Sequence, residues 1–188
     1  MASDIDIASS ALQLIGADPI SSFTEPGAGA AVANAVYEDF VLDILTSNFW
    51  RFAMKKQSLN KLSQSPLNEF TNAFQIPTDS LKIERVEPRG FYKIFQDKIY
   101  SNHSSMELDY LFRVDTSAFP AYFVLLLTYK MASEFALSVT DNEQKNAIYE
   151  EKFRTQLVRA YSADALQHPQ TPIVDQPFTD VRNGGPFG

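Results

Sequence analysis

The sequence has no cysteine, two histidines and a single tryptophan. The first absence removes disulfides, thiol nucleophiles and thiolate metal sites, and fits a reducing compartment. The histidines, His103 in the turn-like stretch Ser101 to Ser105 and His168 near the C-terminal end, are too far apart in sequence to form a paired-histidine metal motif. No Gly-x-Ser-x-Gly motif occurs. Gly27-Ala28-Gly29-Ala30-Ala31 has the glycine content of a phosphate-cradling loop, but no Lys-Ser or Lys-Thr follows it and no apolar strand precedes it. It reads as a small-residue helix start. The acidic pairs Glu38-Asp39 and Glu150-Glu151 are adjacent, and adjacent helical residues point in different directions, so neither makes a catalytic dyad. Nothing here argues for catalysis. The expectation is a non-enzymatic protein with no catalytic residue, no metal and no cofactor.

Long hydrophobic runs are also missing. The most apolar segment, Ala121 to Leu127, gives way to Thr128, Tyr129 and Lys130. A bilayer-spanning helix needs about 20 apolar residues, so no membrane association is expected. The opening Met1-Ala2-Ser3-Asp4 has neither a basic nor an apolar region, and no secretory signal is expected from it. A 188-residue chain, 45% hydrophobic and 21% charged, is large enough to bury roughly 70% of its unfolded surface without staples. One domain carrying an insert is the simplest reading.

Basic residues are absent from one whole region. Residues 1–48 hold seven acids (Asp4, Asp6, Asp18, Glu25, Glu38, Asp39 and Asp43) and no Lys or Arg, while residues 49–188 are neutral overall, so the net charge of −7 resides in the first quarter. Gripping nucleic acid takes clustered bases, so this region is not a phosphate-binding surface. It is a solvated acidic face, one that repels DNA, or one that docks on a basic partner. Lys55-Lys56 beside Phe49, Trp50 and Phe52 has the composition of a nucleic-acid patch, but the aromatics read better as the end of a helical core.

The periodicity predicts a helix over about 3–15, with Ile5, Ala8, Leu12 and Ile15 on one face, acids in its first turn and Gly16 at its end. A second runs over about 28–47, with Ala33, Val36, Tyr37, Phe40, Val41, Ile44 and Leu45 inward and Asn34, Glu38, Asp39 and Asp43 outward. Residues 69–114 read as four to six strands. They include a hairpin turning at Asp97-Lys98 and a strand with Leu108, Tyr110, Phe112 and Val114 on its apolar face. Pro120 is placed at the first position of a third helix, central and apolar nearly all round. Thr140 and Glu143 have capping-box spacing for a fourth helix, with Tyr149, Phe153, Leu157, Ala160 and Tyr161 inward.

The predicted fold class is therefore α+β: an antiparallel bundle of about four helices, an inserted small antiparallel sheet or sandwich, and an extended C-terminal tail. Residues 1–50 and 116–167 form the bundle, 51–115 the β-rich insert, and 168–188 a C-terminal arm. Phe40, Ile44, Trp50, Leu125 and Phe153 are the expected core. The arm holds four of the ten prolines and three of the seven glycines. It keeps Ile173, Val174, Phe178, Val181 and Phe187 as spaced apolar anchors, which suits a frayed terminus or a segment that orders on a partner.

The stretch Ala11-Leu12-Gln13-Leu14-Ile15-Gly16-Ala17-Asp18-Pro19-Ile20-Ser21-Ser22-Phe23 resembles the head-to-tail adaptors of short-tailed bacteriophages, the tail tubular protein A family. The shared pattern is a helix ending in Ile-Gly, then Pro, a β-branched residue and Ser, an Ala/Asn-rich stretch (Ala28 to Ala35), a long helix, and Trp-x-Phe (Trp50-Arg51-Phe52). The strand-rich middle, the apolar helix after Phe119-Pro120 and the last helix follow in the same order. Helix 2 departs from the pattern, lacking the bases that family members carry there. The resemblance implies a dodecameric ring between the portal protein and the tail nozzle protein, lining the channel through which genomic DNA leaves without specific binding. The location implied is the virion neck, with assembly in the host cytoplasm. It further implies portal binding by the arm, through Pro172, Ile173, Val174, Phe178 and Phe187. Ring or channel contacts would come from helices 2 and 4, for which Glu38, Asp39, Asp43, Glu150 and Arg154 are candidates. Two other readings stay open on the residues alone: a monomeric protein-binding module acting through its C-terminal segment, and a hydrolase using His103 with a nearby Asp.

Overall fold

The computed structural model describes residues 2–63, 66 and 69–167. The chain is α+β, with four helices and two small antiparallel sheets. Helix α1 spans Asp4–Ile15 and α2 spans Ala28–Ser47; seven strands follow, and α3 (Ala121–Ser138) and α4 (Glu143–Ala165) close the described chain.

Each helix boundary has a local cause. Ser3 and Asp6 form a reciprocal cap on α1: the Asp6 N–H donates to Ser3 Oγ at 3.2 Å and the Ser3 N–H to Asp6 Oδ2 at 2.9 Å. These bonds hold the Asp6 carboxyl below its usual range, the backbone donor of Ser3 contributing most. Gly16 ends α1 with φ at 79°, a conformation in which a side chain is strained. Its N–H reaches Gln13 O and the Ala17 N–H reaches Leu12 O, both at 3.0 Å, satisfying carbonyls the helix leaves open.

Two helix starts differ from the sequence reading. Pro120 is the N-cap of α3, one position before the first helical residue. The cap of α4 is Asn142, whose side chain accepts from the Lys145 N–H at 2.9 Å. Thr140 is occupied elsewhere, donating to Ala136 O at 2.9 Å. Asp141 takes a left-handed conformation between them, so the chain reverses after Thr140 and only Asn142 faces the new helix.

Helix α3 is the hub, packing against α4, α1 and α2. It buries Phe123, Leu126, Leu127, Met131, Phe135 and others against Ile7, Leu12 and Ile15 of α1 and Tyr37, Val41, Ile44 and Leu45 of α2. Ile44 and Trp50 are fully inside. Phe40 and Phe153 are half-buried at the rim, where Lys130 Nζ of α3 lies 5.4 Å from one ring centroid and 5.6 Å from the other. Leu125 does not join the core, being 40% exposed. A helix apolar all round carries no phase in its sequence. Its neighbours cover Phe123, Leu126 and Leu127, and leave Leu125 facing out.

After a 3-10 turn over Arg51–Ala53 come strands β1 (Met54–Ser58), β2 (Asn60–Lys61), β3 (Asn72–Gln75), β4 (Ser80–Glu87), β5 (Tyr92–Phe95), β6 (Lys98–Ser101) and β7 (Glu107–Phe112). They make a sheet ordered β1-β7-β4 and a sheet ordered β2-β3-β6-β5. Phe74 and Ile99 of the second sheet meet Val86, Leu108 and Tyr110 of the first in a separate small core. Strand β7 is buried on both faces, contrary to the one-faced pattern expected. Leu108 and Tyr110 enter the β core, whereas Leu111 enters the helical core. Asp109, on the same face as Leu111, lies under Arg85, 2.7 Å from Nη2. The β5–β6 turn is Gln96-Asp97, one residue earlier than expected, because Phe95 pairs with Lys98. Gln96 supplies the left-handed residue. No Asn-Gly or Asp-Gly dipeptide marks the position in sequence.

Trp50 closes the end of the bundle. Its indole N–H donates to Ile44 O at 2.8 Å, and its ring meets Phe123 edge-on at a centroid distance of 5.3 Å and Tyr161 at 5.2 Å. Trp50→Ala is expected to cost ~3–5 kcal/mol in denaturant unfolding. Leu125→Ala, at an exposed site, is expected to cost less than ~1 kcal/mol. Equal losses would place Leu125 in the core after all.

Candidate interaction surfaces

The acidic residues singled out on α2, Glu38, Asp39 and Asp43, lie on its exposed side. The first half of that side is small, with Ala28, Ala31 and Ala35 exposed. Glu38 is paired: Arg113 clasps it with Nε on Oε1 at 2.8 Å and Nη2 on Oε2 at 3.0 Å. The Arg113 guanidinium also lies 5.3 Å from the Phe119 ring centroid and donates to Val114 O. Arg113 thus ties α2 to the segment returning from the β region. Beneath it Tyr37 donates to Asp4 Oδ1 at 3.2 Å. Burial pushes the Tyr37 hydroxyl pKa upwards, so it remains a donor.

On α4, Glu150 and Arg154 form an i,i+4 pair at 3.4 Å, and Ser133 donates to Glu150 Oε2 at 3.4 Å. The exposed side of α4 carries Lys152, Arg154 and Arg159 together with Glu143 and Glu151, among the apolar Ile148 and Val158. The α2 and α4 candidates are therefore not brought into one cluster. They sit on two separate outer faces, one acidic and one carrying both charges among apolar residues. Pro172, Ile173, Val174, Phe178 and Phe187 lie outside the described residues.

A third surface is strand β5, an edge of its sheet with all four residues exposed. Phe91 and Phe95 are 68% and 52% exposed, with Ile94 and Tyr92 beside them. Phe91 stacks on Phe70 at 5.3 Å and Lys93 pairs with Glu69 at 2.6 Å. Bare apolar edges are uncommon in isolated domains because they template pairing with other chains. His103 lies in the loop after β6, where its backbone oxygen accepts from Asn72 at 2.8 Å.

The residue that sequence reasoning missed is Asp164. It is 3% exposed and accepts both the Arg51 N–H, at 3.0 and 3.1 Å, and the Tyr122 hydroxyl at 2.7 Å. Burial and this carboxylate raise the Tyr122 pKa. One signal was available: Asp164 continues the inward stripe of Phe153, Leu157 and Ala160, where a solvated acid does not belong.

Among the described residues no group of three or more His, Asp or Glu is placed to hold a metal ion. Among them, too, no helix is long and apolar enough to cross a membrane. No family model and no curated protein matches the chain.

Asp164→Ala removes the acceptor of two part-buried donors and is expected to cost ~1–2 kcal/mol, read from urea unfolding. The exposed Glu38–Arg113 pair is expected to give a coupling energy of only ~0.2–1 kcal/mol in a double-mutant cycle, shrinking with added salt. A larger, salt-insensitive value would mean that the pair is more deeply desolvated than its exposure indicates.

Proposed function

We propose that this protein is a head-to-tail adaptor of a short-tailed bacteriophage, assembling as a ring, dodecameric by the family pattern, between portal and nozzle around the exiting DNA. The observation that carries the reading is the base-free N-terminal quarter, set beside the family-like pattern over residues 11–52. A channel that passes DNA must not hold it. Every neutralised phosphate adds salt-sensitive affinity, and a surface with acids and no bases neutralises none.

The two outer helical faces suit a ring. Closed rings of identical subunits need two different, complementary patches on each subunit. The acids Asp39 and Asp43 on α2 complement Arg159 on α4 of a neighbouring copy in sign, which favours one register of approach over others. Glu38 and Arg154 take a lesser part, since Arg113 and Glu150 of their own chain already engage them. The C-terminal arm supplies the portal contact by ordering on it, with Ile173, Val174 and Phe178 as anchors. The exposed β5 edge is left for the nozzle side.

Electron microscopy of the protein mixed with the portal of the same genome tests this. The expected result is a ring stacked on the portal in matching symmetry. Deleting residues 168–188 is expected to leave a folded protein that no longer docks, and Asp43→Lys to dock with broken ring closure. A protein that stays monomeric and ignores the portal would sink the adaptor reading and favour a binding module acting through its C-terminal segment.

A further inference from the structure

A groove of about 670 Å³ runs between α1 and α3. Gln13 and Leu14 form one wall, and Phe119, Val124, Leu125 and Thr128 the floor and the other wall. Leu14 and Leu125 are 39% and 40% exposed, although both are large aliphatics on otherwise well-packed helices. No charged residue lines the groove, on a chain whose net charge is −7. An uncharged, leucine-sided cleft favours an apolar occupant over solvent.

The course of the chain says which occupant. Gln167, the last described residue, donates to the Tyr122 hydroxyl at 3.3 Å, and Asp164 fixes the same hydroxyl from one turn earlier. Tyr122 adjoins Ala121, which lines the groove, and precedes Leu125 by three residues. The end of α4 therefore lies against the first turn of α3, the turn that carries Ala121 at one end of the groove. The groove floor from Ala121 to Tyr129 is ~12 Å long at helical rise. The six extended residues from Gln167 to Ile173 cover ~20 Å, more than the ~10–12 Å diameter of the helix whose other side forms the groove. The next stretch, Pro172-Ile173-Val174-Asp175-Gln176-Pro177-Phe178, has three large apolar residues and one charge. Its two prolines favour an extended backbone, which lowers the entropy lost on docking.

We propose that in the free subunit the α1/α3 groove holds residues 172–178 of the same chain. The apolar anchors of the C-terminal segment are then covered by the chain's own helices, and a partner that takes the segment must displace it from Leu14 and Leu125. This holds or fails independently of the adaptor reading, since it concerns the isolated subunit.

The absence of cysteine makes the test clean, because any engineered pair is the only pair. In the full chain, Ser10→Cys with Val174→Cys is expected to form an intramolecular disulfide at least tenfold faster than Asp43→Cys with Val174→Cys. The rate should be independent of protein concentration. Adding Leu125→Asp, a change at an exposed position whose folding circular dichroism checks, is expected to remove that advantage. Equal rates for the two pairs would overturn the proposal. So would an advantage that survives Leu125→Asp, or cross-links that form between chains and rise with concentration, which would assign the groove to a second copy.

Discussion

One buried carboxylate holds the places where this chain changes character. Asp164 accepts the N–H of Arg51, where the helical N-terminal part turns into strand, and the hydroxyl of Tyr122, where the chain re-enters helix. It does so from the last turn of α4. Three segments far apart in sequence are thereby pinned to one point beside the Trp50 ring. The carboxylate tolerates burial because its oxygens are engaged by donors. Specific packing around Trp50 presupposes this alignment.

From that point the molecule divides its burial between two cores joined by one strand. Helix α3 organises the first, with α1, α2 and α4 laid around it. The two sheets close the second on each other. Strand β7 serves both, since the strand period of two sends Tyr110 to one core and Leu111 to the other. The functional surfaces all lie outward of this arrangement. The acidic side of α2, the mixed side of α4, the β5 edge and the α1/α3 groove are what remains once each element has buried its best face.

The degree to which this was legible follows from what each element needed. Helices α1, α2 and α4 bury one stripe each, so their phase could be read from spacing. Helix α3 is apolar on every side, and the exposure of Leu125 depends on neighbours that spacing does not encode. Thr140 and Asn142 are both good caps, and the left-handed turn at Asp141 chooses between them. The alternation in β7 implied one buried face, since nothing local announces a second core. The acidic character of α2 was plain from its missing bases, but its neutralisation at Glu38 comes from Arg113, 75 positions away. Asp164 was overlooked because an acid near a helix end reads as solvated unless its place on the inward stripe is noticed.

The β region leaves and rejoins the helices through neighbouring strands: Met54, the first residue of β1, pairs directly with Leu111 near the end of β7. Its two ends are thus hydrogen-bonded partners one strand spacing apart, ~5 Å. An insertion with abutting ends imposes no span on its host. The strands of the outer sheet, β2, β3, β5 and β6, can lengthen or shorten without moving α2 relative to α3, since it is β4 of the other sheet that is tied to α2, Lys82 donating to Thr46 O at 3.0 Å, and the helical scaffold and its outward-facing specificity are free to diversify separately.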